Sequence, residues 1–499
     1  MRTAALAMAL PAVAGAVNGS KPFVESDKLQ ALVTLQDLLA GSQKLQDIAD
    51  GHGGNRAFGG GGHNATVDWL VDELQKLDYY DVRKQPFTES FAGAKGTLAV
   101  RGSEVKFRPI TYTPAGNVSG APLVAVVNSG CEARDFSAAV AGAVALVERG
   151  NCVLSVKASL AKAAGAVAVI HYNDNDEERT FMGTFGEESD ANAPSVGVTR
   201  GDGHAFLAAL KAGQDLRVDL NLVSVNEERT NYNVIAETRG GDHNNVLMIG
   251  GHADSVFAGP GINDDGSGTV GVLTVAKALS QFSTKNAVRV AFWGAEEYGK
   301  LGSYFYVKQL NSSESELLKV RAYLNFDMIA SPNYRFSIYD GDGKAFNFSG
   351  PAGSDVIKKQ FEQFYESRGL PHVPTEFNGR SDYAGFIENG IPAGGVFTGA
   401  EALKTEAEAA LFGGQAGVAY DPNYHQAGDN IDNLNHDAYL VNAQAIAHSV
   451  ATYSMSWDTI PPVSRSKRLW AADTAMHLMQ AAELTGHLHD GPCGGGSLI

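Results

Sequence analysis

Imidazole and carboxylate side chains capable of binding a metal follow three separate apolar runs of the sequence. The run 246–249 precedes His252, Asp254 and Asp264, the run 288–293 precedes Glu296 and Glu297, and the run 320–326 precedes Asp327. A polar loop further along the chain adds His425. Because ligands bind at the carboxyl ends of strands in open α/β sheets, we expect these side chains to meet at one edge of a sheet. Imidazole and carboxylate together suit a zinc-like cation.

The number and kind of these side chains predict a centre of two metal ions. Two divalent ions about 3.5–4 Å apart can hold a hydroxide and a substrate carbonyl oxygen between them. One bridging carboxylate, with one further carboxylate and one histidine for each ion, supplies the anionic cage and leaves positions open. We therefore assign Asp264 as the bridge, His252 and Asp327 to one zinc ion, and Glu297 and His425 to the other.

Two acidic residues next to these ligands are given other roles. Glu296 is adjacent to a ligand but is not needed as one, so it is free to act as the general base on the bridging water. Asp254 lies two residues after His252 and can accept the second imidazole N–H, which would fix the tautomer of the ring. The predicted reaction is therefore metal-assisted hydrolysis.

The elements that must position these residues form an α/β fold. The apolar runs predict buried strands of a mixed, largely parallel twisted sheet, flanked by helices such as the one predicted over 269–279. Further helices are predicted over 27–49, with Ser26 as its cap, and over 65–77. The glycine-rich stretch 59–62 is interpreted as a connection near the active site. His63 is expected to be a surface loop residue, and His171 is expected to lie on the solvated surface.

Composition and charge narrow the functional classes. The chain has 499 residues, 44% of them hydrophobic and 19% charged, which is the composition of a globular protein with more than one folded unit. Its net charge of −17 disfavours nucleic acid and anionic membranes as partners, since either would require a basic surface. No apolar segment approaches the roughly 20 residues that span a bilayer. We expect a monomer.

Several features predict export from the cell. Residues 1–16 read as a signal peptide, with Arg2 followed by an apolar stretch and small residues at the cleavage site. Glycosylation is predicted at four N-x-S/T tripeptides, Asn64, Asn117, Asn311 and Asn347. Of the three cysteines, Cys131 and Cys152 are predicted to form a disulfide. The protein is therefore expected to be secreted, with the vacuole as the alternative location.

The motifs around the predicted ligands resemble one known family. They are His252-x-Asp254-Ser255, Gly261 to Gly268, Trp293 to Glu297, Asn325 to Met328, and Tyr424-His425 with Asp429. They are similar to those of M28 metallo-aminopeptidases, and within that family to the secreted fungal leucine aminopeptidases and the vacuolar aminopeptidase Y type. The resemblance extends over residues 50–455. It implies two zinc ions, peptide substrates with a free N-terminus, and a preference for leucine-like first residues.

The resemblance also implies roles for residues outside the metal ligands. Tyr424 would stabilise the tetrahedral oxyanion, Gly379 and Arg380 would lie near the free amino end of the substrate, and Phe397 would belong to the pocket for the first side chain. Residues 144–173 resemble the protease-associated (PA) domain, which inserts into peptidases. The predicted division is a signal peptide (1–16), the N-terminal part of the peptidase (17–115), the PA insertion (116–226), the catalytic domain (227–460) and a C-terminal extension (461–499).

Two alternative functions remain at this point. Proteins with a peptidase-like and PA architecture can lose their metal ligands and become binding ectodomains, but this chain keeps all five ligands and the base. A carboxypeptidase or a glutaminyl cyclase on a related scaffold is the second alternative. A carboxypeptidase needs cationic groups for the terminal carboxylate, and only Arg380 is a candidate. Acidic groups suited to a free amine, such as Glu296 and Asp327, are plentiful.

Overall fold

The computed structural model describes residues 21–174 and 183–462. The predicted signal peptide and all but the first two residues of the predicted C-terminal extension lie outside the described residues. The described part contains twelve α-helices: α1 Ser26–Ala31, α2 Leu35–Asp50, α3 Gly61–Gln75, α4 Leu154–Ala163, α5 Arg200–Lys211, α6 Gly266–Leu279, α7 Leu301–Asn311, α8 Glu314–Lys319, α9 Ser354–Glu366, α10 Tyr383–Glu388, α11 Glu406–Phe412 and α12 His436–Tyr453.

The same residues contain fourteen strands: β1 Tyr80–Val100, β2 Ser103–Glu104, β3 Arg108–Pro109, β4 Gly116–Ala125, β5 Val144–Glu148, β6 Ala168–Tyr172, β7 Ser195–Val198, β8 Arg217–Thr238, β9 Asp242–His252, β10 Asn286–Trp293, β11 Val320–Phe326, β12 Ser337–Tyr339, β13 Val373–Thr375 and β14 Ala393–Phe397.

The larger sheet has the strand order β13-β12-β14-β11-β9-β10-β8, with β1 beside β8. Its centre is parallel, because β14, β11, β9 and β10 pair in parallel, whereas β8 and β12 join it antiparallel. Helices such as α6, α9 and α12 pack their apolar residues into its main core cluster. The predicted mixed, largely parallel α/β sheet flanked by helices is confirmed.

Burial explains why the central strands are continuous apolar runs. Residues Val246 to Ile249 of β9 are 0% exposed, as expected for a strand covered on both faces. Helix α6 follows β9 and is buried along almost its whole length. Asp265 begins this helix as its N-cap, accepting a hydrogen bond from the Gly268 backbone at 2.8 Å. The loop between β9 and α6 is thus fixed at both ends.

A smaller sheet has the order β4-β5-β6-β7-β3 and lies within residues 108–198. The predicted disulfide between Cys131 and Cys152 is present there. Strand β8 joins the two sheets, because it pairs antiparallel with β10 of the larger sheet and with β4 of the smaller one. Strand β1 pairs with β8 along its whole length, from Tyr80 opposite Thr238 to Val100 opposite Val218. The predicted limit at residue 226 falls inside β8, so the division of the chain at 116–226 stays a proposal.

The structure corrects three local predictions. The single helix predicted over 27–49 is two helices, because the Thr34 side chain accepts a hydrogen bond from the Asp37 backbone and starts α2 anew. His63 is not a surface loop residue: it lies in α3, fully buried, with Nε2 3.2 Å from the Tyr232 carbonyl oxygen. His171, for which the sequence suggested solvated surface, is fully buried in β6.

Candidate metal centre and active site

Three neighbouring parallel strands end at the same edge of the larger sheet and deliver most of the predicted ligands there. His252 is the last residue of β9, Glu296 and Glu297 follow β10, and Asp327 follows β11. Parallel pairing forces the carboxyl ends of these strands together. His425 comes from the loop before α12 and completes the cluster from outside the sheet.

Asp264 lies between the two histidines with one carboxylate oxygen toward each. Its Oδ1 is 3.1 Å from Nε2 of His252, and its Oδ2 is 3.1 Å from Nε2 of His425. Glu297 Oε2 is 3.0 Å from the same His425 nitrogen, whereas Asp327 Oδ1 is 3.7 Å from Nε2 of His252. The five side chains therefore form two sets that share one carboxylate, and each set holds one imidazole.

Burial makes this concentration of charge costly without a cation. Burial raises the pKa of Glu297 to about 7 and that of Asp327 to about 6, and the nearby Asp264 carboxylate adds to both increases. Burial opposes protonation of the two imidazoles. The carboxylates around them outweigh this effect, so the pKa values of His252 and His425 lie well above the ordinary value. A bound cation would neutralise the carboxylates directly.

The donor atoms fit divalent metal ions of the zinc type. Two imidazoles and three carboxylates are the ligand types that zinc takes in catalytic sites. Glu297 Oε1 and His425 Nε2 are buried, and neither makes a hydrogen bond of good geometry within the described residues, although two carboxylate oxygens lie 3.0 and 3.1 Å from the nitrogen. Buried polar atoms without partners are rare, and a metal ion would satisfy both.

Glu296 lies beside the ligand sets rather than within them. Its Oε2 is 3.9 Å from Nε2 of His252, and its Oε1 is buried without a hydrogen bond to any described residue. Its backbone N–H donates to Oδ1 of Asp254 at 3.1 Å, and the Glu297 N–H donates to the other oxygen of Asp254 at 3.4 Å. Burial raises the pKa of Glu296 well above its ordinary value, which suits a group that carries a proton.

Asp254 contacts His252 as well as the backbone of Glu296 and Glu297. Its Oδ1 is 3.6 Å from Nδ1 of His252, and its backbone carbonyl oxygen is 3.3 Å from the same nitrogen. Nδ1 can therefore be the protonated nitrogen, which leaves Nε2 free for a metal. Asp265 also lies near the cluster. Its oxygens already accept from the backbone N–H groups of His252, Gly268 and Met328, so it is a structural cap.

An open cavity lies against this cluster. The lining residues are Asp264, Glu296, Glu297, Asp327, Met328, Tyr339, Thr375, Glu376, Asn378, Arg380, Ser381, Tyr383, Phe397, Ala400 and Tyr424. Tyr424, Arg380 and Phe397 thus share one cavity with the ligands. Gly379 does not line it, and its N–H donates to the Tyr383 hydroxyl at 2.9 Å.

Arg380 is held by partners of its own within this cavity. Its two Nη atoms bind the two carboxylate oxygens of Glu401 at 2.8 and 3.2 Å, and Nη2 also donates to the Tyr424 hydroxyl at 3.2 Å. The Tyr424 ring stacks on the His425 ring with centroids 3.7 Å apart. The guanidinium therefore orients the tyrosine that lies against a predicted ligand.

The sequence alone assigned no role to two supporting residues. Arg56 is fully buried and donates to the carbonyl oxygens of Ala253, Pro260 and Gly261, which belong to the loop between His252 and Asp264. Asp429 accepts from the backbone N–H of Asp264 at 3.0 Å. Both act on the backbone of the ligand loop from distant parts of the chain, so no local spacing could reveal Arg56. Asp429 is found only through its nearness to His425.

Comparison with known proteins agrees with this geometry. The model of peptidase family M28 matches residues 233–450, and that of the PA domain matches residues 118–206. The probable leucine aminopeptidase 2 of Aspergillus fumigatus is 51% identical over 478 residues, which are 95% of this chain and 93% of that protein. The leucine aminopeptidase 2 of Arthroderma otae is 49% identical over 442 residues, 88% of each chain.

Solved structures of aminopeptidases are similar to this chain as well. An aminopeptidase from Aneurinibacillus sp. strain AM-1 has a TM-score of 0.65 at 26% identity, over 88% of this chain and 99% of that one. A zinc aminopeptidase from Bacillus subtilis has the same fold, with a TM-score of 0.61 at 24% identity over 86% and 99% of the two chains. The chain belongs to peptidase family M28 and carries a PA domain. Within that family it is an aminopeptidase, as the sequence predicted.

Proposed function

We propose that this chain is a secreted di-zinc aminopeptidase that removes leucine and other apolar residues from the free N-termini of peptides. The observation that carries the proposal is the position of Asp264, whose two carboxylate oxygens each lie 3.1 Å from a different imidazole nitrogen. A carboxylate shared in this way is suited to bridging two metal ions about 3.5–4 Å apart. Glu296 beside it, with an unpartnered oxygen, supplies the base.

Five residues are the proposed zinc ligands. His252 and Asp327 would hold one zinc ion, Glu297 and His425 the other, and Asp264 both. Bound zinc supplies Lewis-acid polarisation of the scissile carbonyl and a water acidic enough to attack near neutral pH. Asp254 would keep the His252 ring oriented, since its Oδ1 lies 3.6 Å from Nδ1 and leaves Nε2 available as the ligand atom.

Proton transfer is the role of Glu296. It accepts a proton from the attacking water and returns it to the departing amine, so one carboxylate acts first as base and then as acid. The Glu296 and Glu297 backbone N–H groups both donate to Asp254, which fixes where the Glu296 side chain begins. Its burial, with 4% of the residue exposed, keeps bulk water from competing for the proton.

Tyr424 is the proposed donor to the developing oxyanion. The Arg380 guanidinium donates to its hydroxyl oxygen at 3.2 Å, so the phenolic hydrogen is free to point toward substrate. A cation at the oxygen also makes that hydrogen a stronger donor. Glu401 holds the other side of Arg380 in a bidentate pair. Arg380 is therefore proposed to position Tyr424 rather than to grip the substrate itself.

The charges of the cavity favour a free amine over a free carboxylate. Five of its lining side chains are acidic: Asp264, Glu296, Glu297, Asp327 and Glu376. Arg380 is the one lysine or arginine lining it within residues 21–174 and 183–462, and Glu401 already pairs with it. The terminal carboxylate of a substrate would therefore find no unpaired lysine or arginine in this described lining, which disfavours the carboxypeptidase alternative. Gly379 stays a proposed neighbour of the amino end through its backbone.

Apolar side chains in the lining of the cavity support a preference for an apolar first residue. Phe397, Met328 and Tyr339 line it together. The relatives named leucine aminopeptidase 2 support leucine as the preferred residue. Burying a leucine side chain against such a wall contributes roughly 1.5–3 kcal/mol relative to leaving it in water.

Secretion and glycosylation belong to the same proposal. Asn64, Asn117, Asn311 and Asn347 are all exposed, as glycan acceptors must be. Among the described residues, no helix is both long and apolar enough to cross a membrane. We propose a monomeric enzyme, with the vacuole as the alternative destination. Secreted material treated with a glycosidase should lose mass at these four asparagines.

One experiment separates the proposed enzyme from a binding ectodomain and from the other peptidases. The zinc-loaded protein should hydrolyse leucine anilide, and Glu296→Gln should retain its zinc yet turn over at least 10³-fold more slowly. N-acetylation of a leucine peptide should abolish cleavage. An inactive parent protein that still binds zinc would leave the ectodomain alternative standing. Rapid cleavage of the acetylated peptide would refute the aminopeptidase specificity.

A further inference from the structure

Five buried polar side chains form a continuous hydrogen-bonded chain from the middle of the sheet to Asp327. Trp293 Nε1 donates to the Tyr323 hydroxyl at 2.8 Å, and that hydroxyl donates to Asn325 Oδ1 at 3.0 Å. Asn325 Nδ2 donates to Ser381 Oγ at 2.7 Å, and Ser381 Oγ donates to Asp327 Oδ2 at 2.6 Å. Each of the five residues is at most 8% exposed. We call this series the Trp293 chain.

The direction of every hydrogen bond in the Trp293 chain follows from its first member. An indole N–H can only donate, so the Tyr323 hydroxyl accepts from Trp293 and must offer its own hydrogen to Asn325. The Asn325 amide then presents its oxygen to Tyr323 and its nitrogen to Ser381. Ser381 accepts that bond and offers its hydrogen to Asp327. The chain therefore ends on an acceptor oxygen of Asp327, which is Oδ2.

A glycine allows the Trp293 chain to cross the sheet. Trp293 is on β10 and Tyr323 on β11, and β9 runs between these two strands. A Cβ atom at Gly250 of β9 would lie 3.1 Å from Trp293 Nε1 and 3.0 Å from the Tyr323 hydroxyl. A side chain at this position would thus press on the Trp293–Tyr323 contact. The Ala291 carbonyl oxygen lies closer still, 2.8 Å from that Cβ position, so the neighbouring backbone and the crossing both favour a glycine two residues before His252.

We propose that Trp293, Tyr323, Asn325 and Ser381 are positioning residues that set the metal affinity of one of the two zinc positions. Ser381 occupies Oδ2 of Asp327 and thereby leaves Oδ1, which lies 3.7 Å from Nε2 of His252, as the ligand atom. The inference rests on the proposed di-zinc function. It concerns only the position formed with His252, because the Trp293 chain ends on Asp327.

The first test removes and restores the last donor of the Trp293 chain. Ser381→Ala should lower the affinity for one of the two zinc ions by roughly 10- to 100-fold, which is the usual effect of removing a residue that hydrogen-bonds to a metal ligand. The other zinc ion should keep its affinity. Ser381→Thr keeps a hydroxyl and should restore tight binding. Zinc per chain is counted against increasing concentrations of a competing chelator, and the melting temperature of the metal-free proteins verifies that each variant folds.

The second test changes the Trp293 chain far from the metal. Tyr323→Phe removes the donor to Asn325. It should lower the affinity for the same zinc ion by a smaller factor, roughly 3- to 10-fold, because Ser381 still donates to Asp327. Tyr306→Phe is the matched control. It removes another buried phenolic hydroxyl whose ring packs 5.1 Å from that of Trp293, but that hydroxyl binds Arg289 instead. Tyr306→Phe should leave both zinc affinities unchanged.

Crystal structures identify which of the two zinc ions is lost. Anomalous diffraction from Ser381→Ala crystals held at intermediate chelator should show zinc lost beside Asp327 and retained beside Glu297. The inference would be overturned if Ser381→Ala lowered the affinity for both zinc ions equally or left both affinities unchanged. It would also be overturned if Tyr323→Phe and Tyr306→Phe had equal effects on zinc affinity. A parent protein that fails to bind two zinc ions would instead refute the proposed function, so the two failures are distinguishable.

Discussion

Replacing Arg56 by methionine tests whether the loop between His252 and Asp264 is braced from behind. The fully buried guanidinium donates through Nε to the Pro260 carbonyl at 2.9 Å and through Nη2 to the Gly261 carbonyl at 2.6 Å. Its third donor binds the Ala253 carbonyl. Burial lowers the pKa of Arg56, while Asp254 and other nearby carboxylates oppose this effect. Methionine fills similar volume but donates nothing.

The expected loss follows from the groups that Arg56→Met leaves behind. The Gly261 carbonyl keeps a second donor, the Gly266 N–H at 3.0 Å, whereas the Ala253 and Pro260 carbonyls lose the guanidinium. Leaving a buried carbonyl oxygen without a donor costs about 1–3 kcal/mol, so losing the donor to two of them should cost about 2–6 kcal/mol. For a chain of this size unfolding as one unit, that corresponds to a melting temperature lower by roughly 2–6 °C. Zinc affinity should fall by roughly 10- to 100-fold, because the loop carries two ligands.

Arg289→Met is the matched control for this substitution. Arg289 is also a largely buried arginine, but it binds Glu237 and the Tyr306 hydroxyl, four residues before the end of β10. We expect a similar loss of melting temperature with unchanged zinc affinity. Calorimetry and chelator competition on both variants give the comparison. If Arg56→Met loses stability but binds zinc as tightly as Arg289→Met, the bracing role is refuted.

Three further predictions concern catalysis, specificity and pH. Tyr424→Phe should lower kcat by roughly 10²- to 10³-fold with little change in KM. Tyr420→Phe is the control and should keep the parent kcat, because the Tyr420 hydroxyl binds Glu408 instead. Equal kcat values for the two variants would exclude the oxyanion role of Tyr424. Phe397→Ala should reduce the ratio of kcat/KM for leucine over alanine anilide by roughly 10-fold, and an unchanged ratio would remove Phe397 from the pocket. Burial of Glu408 opposes its ionisation, but hydrogen bonds, foremost that from Tyr420, outweigh it and lower its pKa to about 2. The stability that Glu408 supplies is therefore present above the unfolded-state pKa of about 4.3 and lost as the pH falls toward 2. Chemical denaturation should show Glu408→Gln less stable than the parent at pH 5 and nearly equal to it near pH 2; a constant difference would contradict this.

The parts of the site that the sequence predicts are those that follow from local pattern. An apolar run followed by polar ligand types locates His252 and Asp327 at strand ends, because parallel strands present these ends together. Likewise the fold class follows from runs long enough to be covered on both faces. Asp264 needed chemical reasoning as well, since only the two-metal hypothesis explains a carboxylate shared between two imidazoles.

What the sequence could not predict depends on contacts between distant segments. Arg56 lies about two hundred residues before the carbonyls that it binds, and Ser381 lies 54 residues after Asp327. His63 and His171 look like polar loop and surface residues in sequence, yet both are fully buried by packing that local pattern does not encode. The role of Arg380 changed for the same reason, because Glu401 is recognisable as its partner only in the folded chain.

The most direct measurement is a crystal structure of the zinc-loaded enzyme with anomalous data at the zinc edge. It should show two zinc ions about 3.5–4 Å apart, each bound to a different carboxylate oxygen of Asp264, with Glu296 bound to neither. A single ion, or a centre in which Glu296 is a ligand and Asp264 does not bridge, would contradict the account.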